Sequence, residues 1–299
     1  MLKALAVPDH LKGVAWVLVS SVCFVAVTGL VRHLGSDMDA VQAAFIRYAF
    51  GVVLLIPTLF QIRRSAFRIT RLAPHALRGL VHGIGVMLWF FAMTHIPIAD
   101  VTALGFTAPI FVTIGAALFL GERLRLRRLA AVSMGFVGAL VIIRPGLIDI
   151  ELGAMAMLTA APLFAISMLI AKRLVADQPP AVVVALLSVF VTLVLMPPAL
   201  YVWRAPTVEE LGWLLATAVF ATLGHIALSK AYSLVDITVT QPITFIQLVW
   251  ASMLGYFVFA EVPDIWTILG GLIIVVSASY IAHREAQLAR AARRAAAEE

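Results

Sequence analysis

Five polar side chains in one apolar run, Thr238, Thr240, Gln241, Thr244 and Gln247, are the first groups in this chain able to do chemistry on a solute. At about 100° per residue, Thr240, Thr244, Gln247 and Ala251 fall on one stripe of a helix. Hydrocarbon cannot satisfy hydroxyls and amides, so the stripe must face protein or water. Pro242 lies among them. It lacks an N–H and clashes with the preceding turn, which frees a carbonyl or kinks the helix. The chemistry on offer is hydrogen bonding to a solute.

Other candidates have two readings each. Arg47 lies inside the second apolar run and is either an outer-side gate or carboxylate contact, or a structural tie between helices. Lys230 either draws a solute carboxylate to the inner mouth or favours its own helix C-terminus and snorkels to water. His82 and His225 either bond a solute or make interhelical hydrogen bonds, the more common outcome. Trp89, Phe90, Phe91 and Trp250 either stack on an aromatic or apolar solute or face lipid and core; Trp250, near Gln247, has the better case. Ser20, Ser21, Thr28, Pro162 and Ser167 add a mildly polar lining, although hydroxyls also bond back to their own helix. Glu122 and Glu261 follow two matching runs and read as caps at the N-termini of the next helices.

No Asp or Glu falls in the middle of an apolar run, so the expected lining is uncharged and favours a facilitative carrier over a carboxylate relay. The same absence argues against an intramembrane aspartyl protease, which needs two facing carboxylates. Neither an HExxH nor a GxSxG motif occurs. The single cysteine, Cys23, excludes disulfide frameworks and cysteine metal sites. The expectation is a protein that is not an enzyme and uses no cofactor or metal.

The elements that position these residues lie in a membrane. Of 299 residues, 63% are hydrophobic and 13% charged, and the mean hydropathy is +1.04. Soluble domains average about 45–50% apolar and about 25% charged. Ten apolar runs are long enough to cross, near 12–32, 40–60, 76–95, 98–121, 127–144, 152–172, 180–202, 210–231, 237–260 and 264–282. The first run lacks a cleavage site and is expected to stay. With the N-terminus inside, inner segments hold 17 Lys and Arg, Arg78 among them, against three outside, Arg32, Arg144 and Arg204. The positive-inside rule therefore puts both termini in the cytoplasm. The net charge of +6 is explained by this bias and implies no nucleic acid. Trp203, Trp213 and Trp266 fall at outer ends and Trp16 near an inner end, as an aromatic belt requires.

Sliding the chain by about 140 residues aligns it with itself. Gly13, Phe24, Arg32 and Leu34 meet Gly153, Phe164, Lys172 and Leu174; one residue out of step, Gly85, Phe106 and Glu122 meet Gly224, Phe245 and Glu261. Each half then has five helices, and an odd number makes the halves inverted. Residues 1–148 form the first repeat, 149–284 the second, and 285–299 a basic tail expected to fray as an interfacial helix. The first-half partner of the run around Gln247 is 100–122, with its own proline, Pro109. Ala131, Gly135 and Ala139 give the fifth helix a small-residue face for packing within the fold or between subunits.

This layout, with FTAPIFVTIGAALFLGERL at 106–124, FIQLVWASMLGYFVFAEVPD at 245–264 and Arg47 in AAFIRYAFG, resembles the drug/metabolite transporter superfamily and its EamA-type members. The resemblance covers nearly the whole chain, and its length and layout are most similar to bacterial YddG-type exporters of aromatic amino acids. Leu248 stands where a proline would match Pro109. The resemblance implies an all-α membrane fold of ten helices around a central cavity lined by helices one, three, four, six, eight and nine. It implies a bacterial inner-membrane carrier of small molecules, monomer or homodimer, exporting amino acids, aromatic ones included, by alternating access. The alternatives are uptake of riboflavin, S-adenosylmethionine or a similar metabolite and, at low weight, a membrane scaffold or enzyme.

Overall fold

The computed structural model describes residues 9–35, 37–58, 60, 72–108, 110–112, 126–144, 151–235 and 246–298. They contain ten helices: α1 (Asp9–Leu34), α2 (Ala40–Leu54), α3 (Ala73–His95), α4 (Ile98–Gly105), α5 (Leu126–Ile143), α6 (Leu152–Asp177), α7 (Pro180–Tyr201), α8 (Val208–Leu234), α9 (Ile246–Phe259) and α10 (Ile265–Glu298). Each falls on one of the apolar runs, and no strand occurs among the described residues. Five, α1, α3, α6, α7 and α8, are long and apolar enough to cross a membrane, and the apolar helical stretches described in the others run 10–17 residues. Thr240, Thr244, Pro242, Pro109 and Glu122 lie outside the described residues.

Polarity is arranged for a hydrocarbon solvent. Val22, Leu140, Leu193, Phe257 and Val276 are exposed on outer helix faces, whereas Ser20, Gln42, Arg47, Arg78 and His82 are buried. Helices suit this setting because they satisfy their backbone groups internally.

The packing repeats under a shift of five helices. α1 packs along α8 as α6 packs along α3, α3 meets α7 as α8 meets α2, and α4 meets α6 as α9 meets α1. The pairs α2·α7, α4·α9 and α5·α10 map onto themselves. One capping device also recurs. Arg32, near the end of α1, donates to the Met93 carbonyl in the last turn of α3 at 3.1 Å. Lys172 on α6 donates to the Tyr232 and Val235 carbonyls at the end of α8, at 2.8 and 3.2 Å. Both cations satisfy carbonyls that have no partner within their own helix.

At the α5·α10 crossing, a Cβ on Gly138 would lie 2.7 Å from the Gly270 carbonyl oxygen, and one on Gly270 2.5 Å from that of Gly138. Only glycine allows this approach of two backbones. The small-residue face of α5 is therefore used within the fold: Gly135 packs on Ile110, and Ala139 is buried.

Two expected features differ. The fourth run is interrupted: α4 stops at Gly105, and Phe106 and Thr107 form a turn. The sequence supplies the reason, since Pro109 has no N–H to offer the Gly105 carbonyl. α2 closes at Leu54, where the Leu55 N–H turns back onto the Gly51, Val52 and Val53 carbonyls. α10 runs unbroken from Ile265 to Glu298, its last turns on Ala- and Arg-rich sequence of high helix propensity.

The three arginines assigned to the outer side are each ion-paired. Arg32 meets Glu261 at 2.7 Å, Arg144 meets Asp264 at 2.7 Å, and Arg204 grips Glu210. Gln42 fixes the same loop, donating to the Arg204 carbonyl at 2.6 Å and accepting its N–H at 3.0 Å. Glu261 is a cap, but for a different helix than expected. Its Oε2 accepts the Ile98 N–H at 2.9 Å and so caps α4. The acidic pair at the start of α10 is instead shared out, Asp264 going to Arg144.

Candidate functional site

A cavity of about 250 Å³ opens among α1, α2, α3, α4, α6, α8 and α9. Helices one, three, four, six, eight and nine all contribute, as expected, and α2 adds Arg47 and Tyr48. Its wall is partly aromatic. Phe164 on α6 sits 5.2 Å from the His82 ring and 6.2 Å from Trp89, both on α3. His225 on α8 lies 5.4 Å from His82 and 5.0 Å from Phe24 on α1, ring centre to ring centre. Three of these pairs are edge-to-face and the His82–Phe164 pair is tilted, and contacts of this kind fix ring orientations.

A chain of polar groups crosses the same wall. The Tyr48 hydroxyl is 3.0 Å from His82 Nε2, and His82 Nδ1 is 3.0 Å from Ser167 Oγ. Arg78 Nε donates to Ser167 Oγ at 3.4 Å, and its Nη1 donates to the Val183 carbonyl of α7 at 3.1 Å. Four helices, α2, α3, α6 and α7, are joined this way, and His82 is the only member bonding two others through a ring. Replacing His82 by Leu leaves the Tyr48 and Ser167 hydroxyls to find new partners, at about 1–3 kcal/mol for each that fails. The expected result is a stability loss of about 2–4 kcal/mol in an SDS-unfolding titration, with His82→Gln recovering part of it because an amide both donates and accepts. An unchanged unfolding midpoint for His82→Leu would show that the chain contributes nothing to stability.

The lining carries charge, contrary to the uncharged lining expected. Arg47 and Arg78 both line the cavity and are buried. The Arg47 guanidinium lies 3.8 Å above the Tyr48 ring centre, a cation–π contact. Its Nε has no hydrogen-bond partner among the described residues. The positive-inside count places Arg78 in a cytoplasmic segment; α3 starts at Ala73 and carries it inward instead.

Of the candidates named from sequence, Thr28, Arg47, His82, Trp89, Ser167, His225 and Gln247 line the cavity. Others do not reach it. Trp250 is 38% exposed on the outer face of α9, because three residues' rotation carries it away from Gln247. Lys230 is exposed, its ammonium 4.4 Å above the Trp16 ring, so it snorkels along α1 and leaves the mouth. Ser21 is buried, but its hydroxyl is bonded to its own helix at the Leu18 carbonyl, 2.8 Å away. Pro162 sits within α6, which continues past it. Arg78, Tyr48, Ser229 and Tyr232 were missed. A signal existed for two of the helices. Arg78, His82 and Trp89 share one stripe of α3, and His225, Ser229 and Tyr232 one stripe of α8.

A model of the EamA-like transporter family matches this chain twice, over residues 11–144 and 151–282. The chain is 29% identical to an S-adenosylmethionine uptake transporter of Rickettsia felis, over 94% of this chain and 95% of the relative. It is 30% identical to a riboflavin transporter of Vibrio cholerae, over 94% and 96% of the two chains. A pseudopaline exporter of Pseudomonas aeruginosa is likewise 30% identical, over 90% and 95%. One solved crystal structure, 16% identical, superposes with a TM-score of 0.62 over 92% of this chain and 98% of its own, a likeness of fold.

Proposed function

Because this chain belongs to the EamA-like transporter family, and is a multi-pass membrane transporter with relatives named as transporters and not as enzymes, we propose that it exports small amino-acid-like metabolites, aromatic ones included, through the cavity bounded by Trp89, Phe164 and Gln247. Its halves, 1–148 and 149–284, are two inverted five-helix repeats that expose the cavity to each side in turn, in the bacterial inner membrane with both termini cytoplasmic. The observation that carries this reading is the composition of the cavity wall. Both halves contribute to it, aromatic rings line one part, and two guanidiniums line another. An amino acid bearing an apolar body and a carboxylate matches both parts. The five-helix repeat in the packing supports the inverted halves, since secondary carriers place their solute between such repeats.

Cavity size favours this over the riboflavin reading. At about 250 Å³ it lies below the about 300–1,000 Å³ of sites for drug-sized ligands. S-adenosylmethionine carries two cations, a sulfonium and an ammonium, against one carboxylate, and two guanidiniums repel that net positive charge, whereas an aromatic amino acid is net neutral. Counterflow in proteoliposomes tests the proposal: trans-stimulated uptake of labelled phenylalanine supports it, and flux of riboflavin or S-adenosylmethionine alone overturns the choice of solute. The variant Gln247→Leu is expected to cut flux about tenfold at normal folded yield, the equivalent of about 1.4 kcal/mol of lost solute contact. Wild-type flux from well-folded Gln247→Leu would remove Gln247 from the pathway.

A further inference from the structure

Charge balance sharpens the identity of the solute. We propose that the cavity binds a small organic dianion, a dicarboxylate on an apolar or aromatic body, with one carboxylate on Arg47 and the other on Arg78. The inference rests on the cavity being the solute site.

Arginine stays protonated in proteins. An isolated buried cation costs several kcal/mol unless a counter-charge accompanies it. Elsewhere in this molecule that rule is followed: Arg32, Arg144 and Arg204 each hold a carboxylate. Among the described residues the two cavity arginines meet no carboxylate, although they are more deeply buried, at 5% and 4% exposure. Among the described residues Arg78 has neutral acceptors alone, the Ser167 hydroxyl and the Val183 carbonyl. Arg47 rests on the Tyr48 ring with its Nε unpartnered among them. No Asp or Glu is among the described lining residues. Two forks that each match a carboxylate therefore face one small space carrying two unbalanced positive charges. A zwitterion with one carboxylate, such as phenylalanine, balances one arginine and leaves the other unbalanced, so among amino-acid-like solutes it is the weaker fit. A dianion balances both, and its body can rest on Phe164 and Trp89, which lie 6.2 Å apart across the same wall.

The test is calorimetric binding to the purified full-length protein, with phenylsuccinate, its half-amide and its diamide as probes. Phenylsuccinate is expected to bind at least tenfold more tightly than the half-amide, and the half-amide more tightly than the diamide. Arg47→Gln and Arg78→Gln should each weaken phenylsuccinate at least tenfold and level it with the half-amide. Arg78→Lys, which keeps a charge, should retain part of the preference. Melting of the ligand-free protein separates this from a structural role. Removing an unbalanced buried charge leaves the melting temperature unchanged or raised, whereas removing a structural tie lowers it. Equal binding of diamide and dianion, or no binding of phenylsuccinate, would overturn the inference. So would Arg→Gln variants that melt lower and keep the wild-type ranking. Binding is read without transport, so absence of flux with an intact anion ranking counts against the carrier reading alone.

Discussion

Thr28→Trp is expected to stop transport while leaving the protein folded. Thr28 lines the cavity from α1, yet its hydroxyl is bonded to the Phe24 carbonyl of its own helix at 2.9 Å. Its removal therefore breaks no tie between helices, and serine and threonine back-bonds of this kind add little to helix stability. The indole enters a space of about 250 Å³. Because that space already exists, the overpacking cost should stay at or below the about 1–3 kcal/mol seen when a filled core is overfilled. The solute, by contrast, loses its place. A drop in flux of about 100-fold or more, equivalent to about 2.8 kcal/mol of binding, is expected in counterflow. Val22→Trp is the matched control, since Val22 is 56% exposed on the outer face of the same helix. Its flux should match wild type. If Thr28→Trp folds and transports normally, the solute travels elsewhere.

The helices were legible because hydrocarbon leaves so few options. Runs of about 20 apolar residues must be helical to satisfy their backbone, and charges accumulate between them. The self-alignment went further than element placement. It paired Arg32 with Lys172, and these two residues perform the same capping on the third helix of their respective halves. Side-chain direction was less accessible. Trp250 and Gln247 lie only about 60° apart on a helical wheel, and that angle separates the cavity from the outer surface. Arg78 was hidden for another reason. Charge counting treats every arginine near a span end as a loop residue, and only the stripe it shares with His82 and Trp89 marks it as inward. Glu261 shows the limit of local reasoning. A carboxylate just before a helix reads as that helix's cap, but the groups that take it, Ile98 and Arg32, are more than 160 residues away in sequence.

That carboxylate should be the costliest single side chain to remove at this end of the molecule. Glu261→Ala strips the N-terminus of α4 of its acceptor, which is worth about 1 kcal/mol for an N-cap. It also leaves Arg32, among the described residues, with the Met93 carbonyl alone. The pair is largely shielded, with side chains 25% and 14% exposed, so losing it adds about 1–3 kcal/mol. The segment that presents Glu261 is held in an unusual shape: Ala260 has φ of +55°, a left-handed conformation that costs a residue with a Cβ about 1–2 kcal/mol. Without its anchor the segment can relax, which lowers the energy of the mutant and trims the loss. A net destabilisation of about 1–3 kcal/mol is therefore expected in SDS unfolding. Glu261→Gln should cost about 1 kcal/mol less, because its amide oxygen still accepts from Ile98. In a cycle with Arg32→Ala, the coupling should exceed the about 0.5 kcal/mol scatter of independent sites. Additive losses would mean that the two side chains do not stabilise each other. Solute affinity supplies the last discrimination. Glu261 is absent from the cavity wall, so a brace predicts unchanged binding of the preferred solute in every folded variant. A tenfold loss of affinity in Glu261→Gln would instead make this carboxylate part of the binding mechanism, acting through α4.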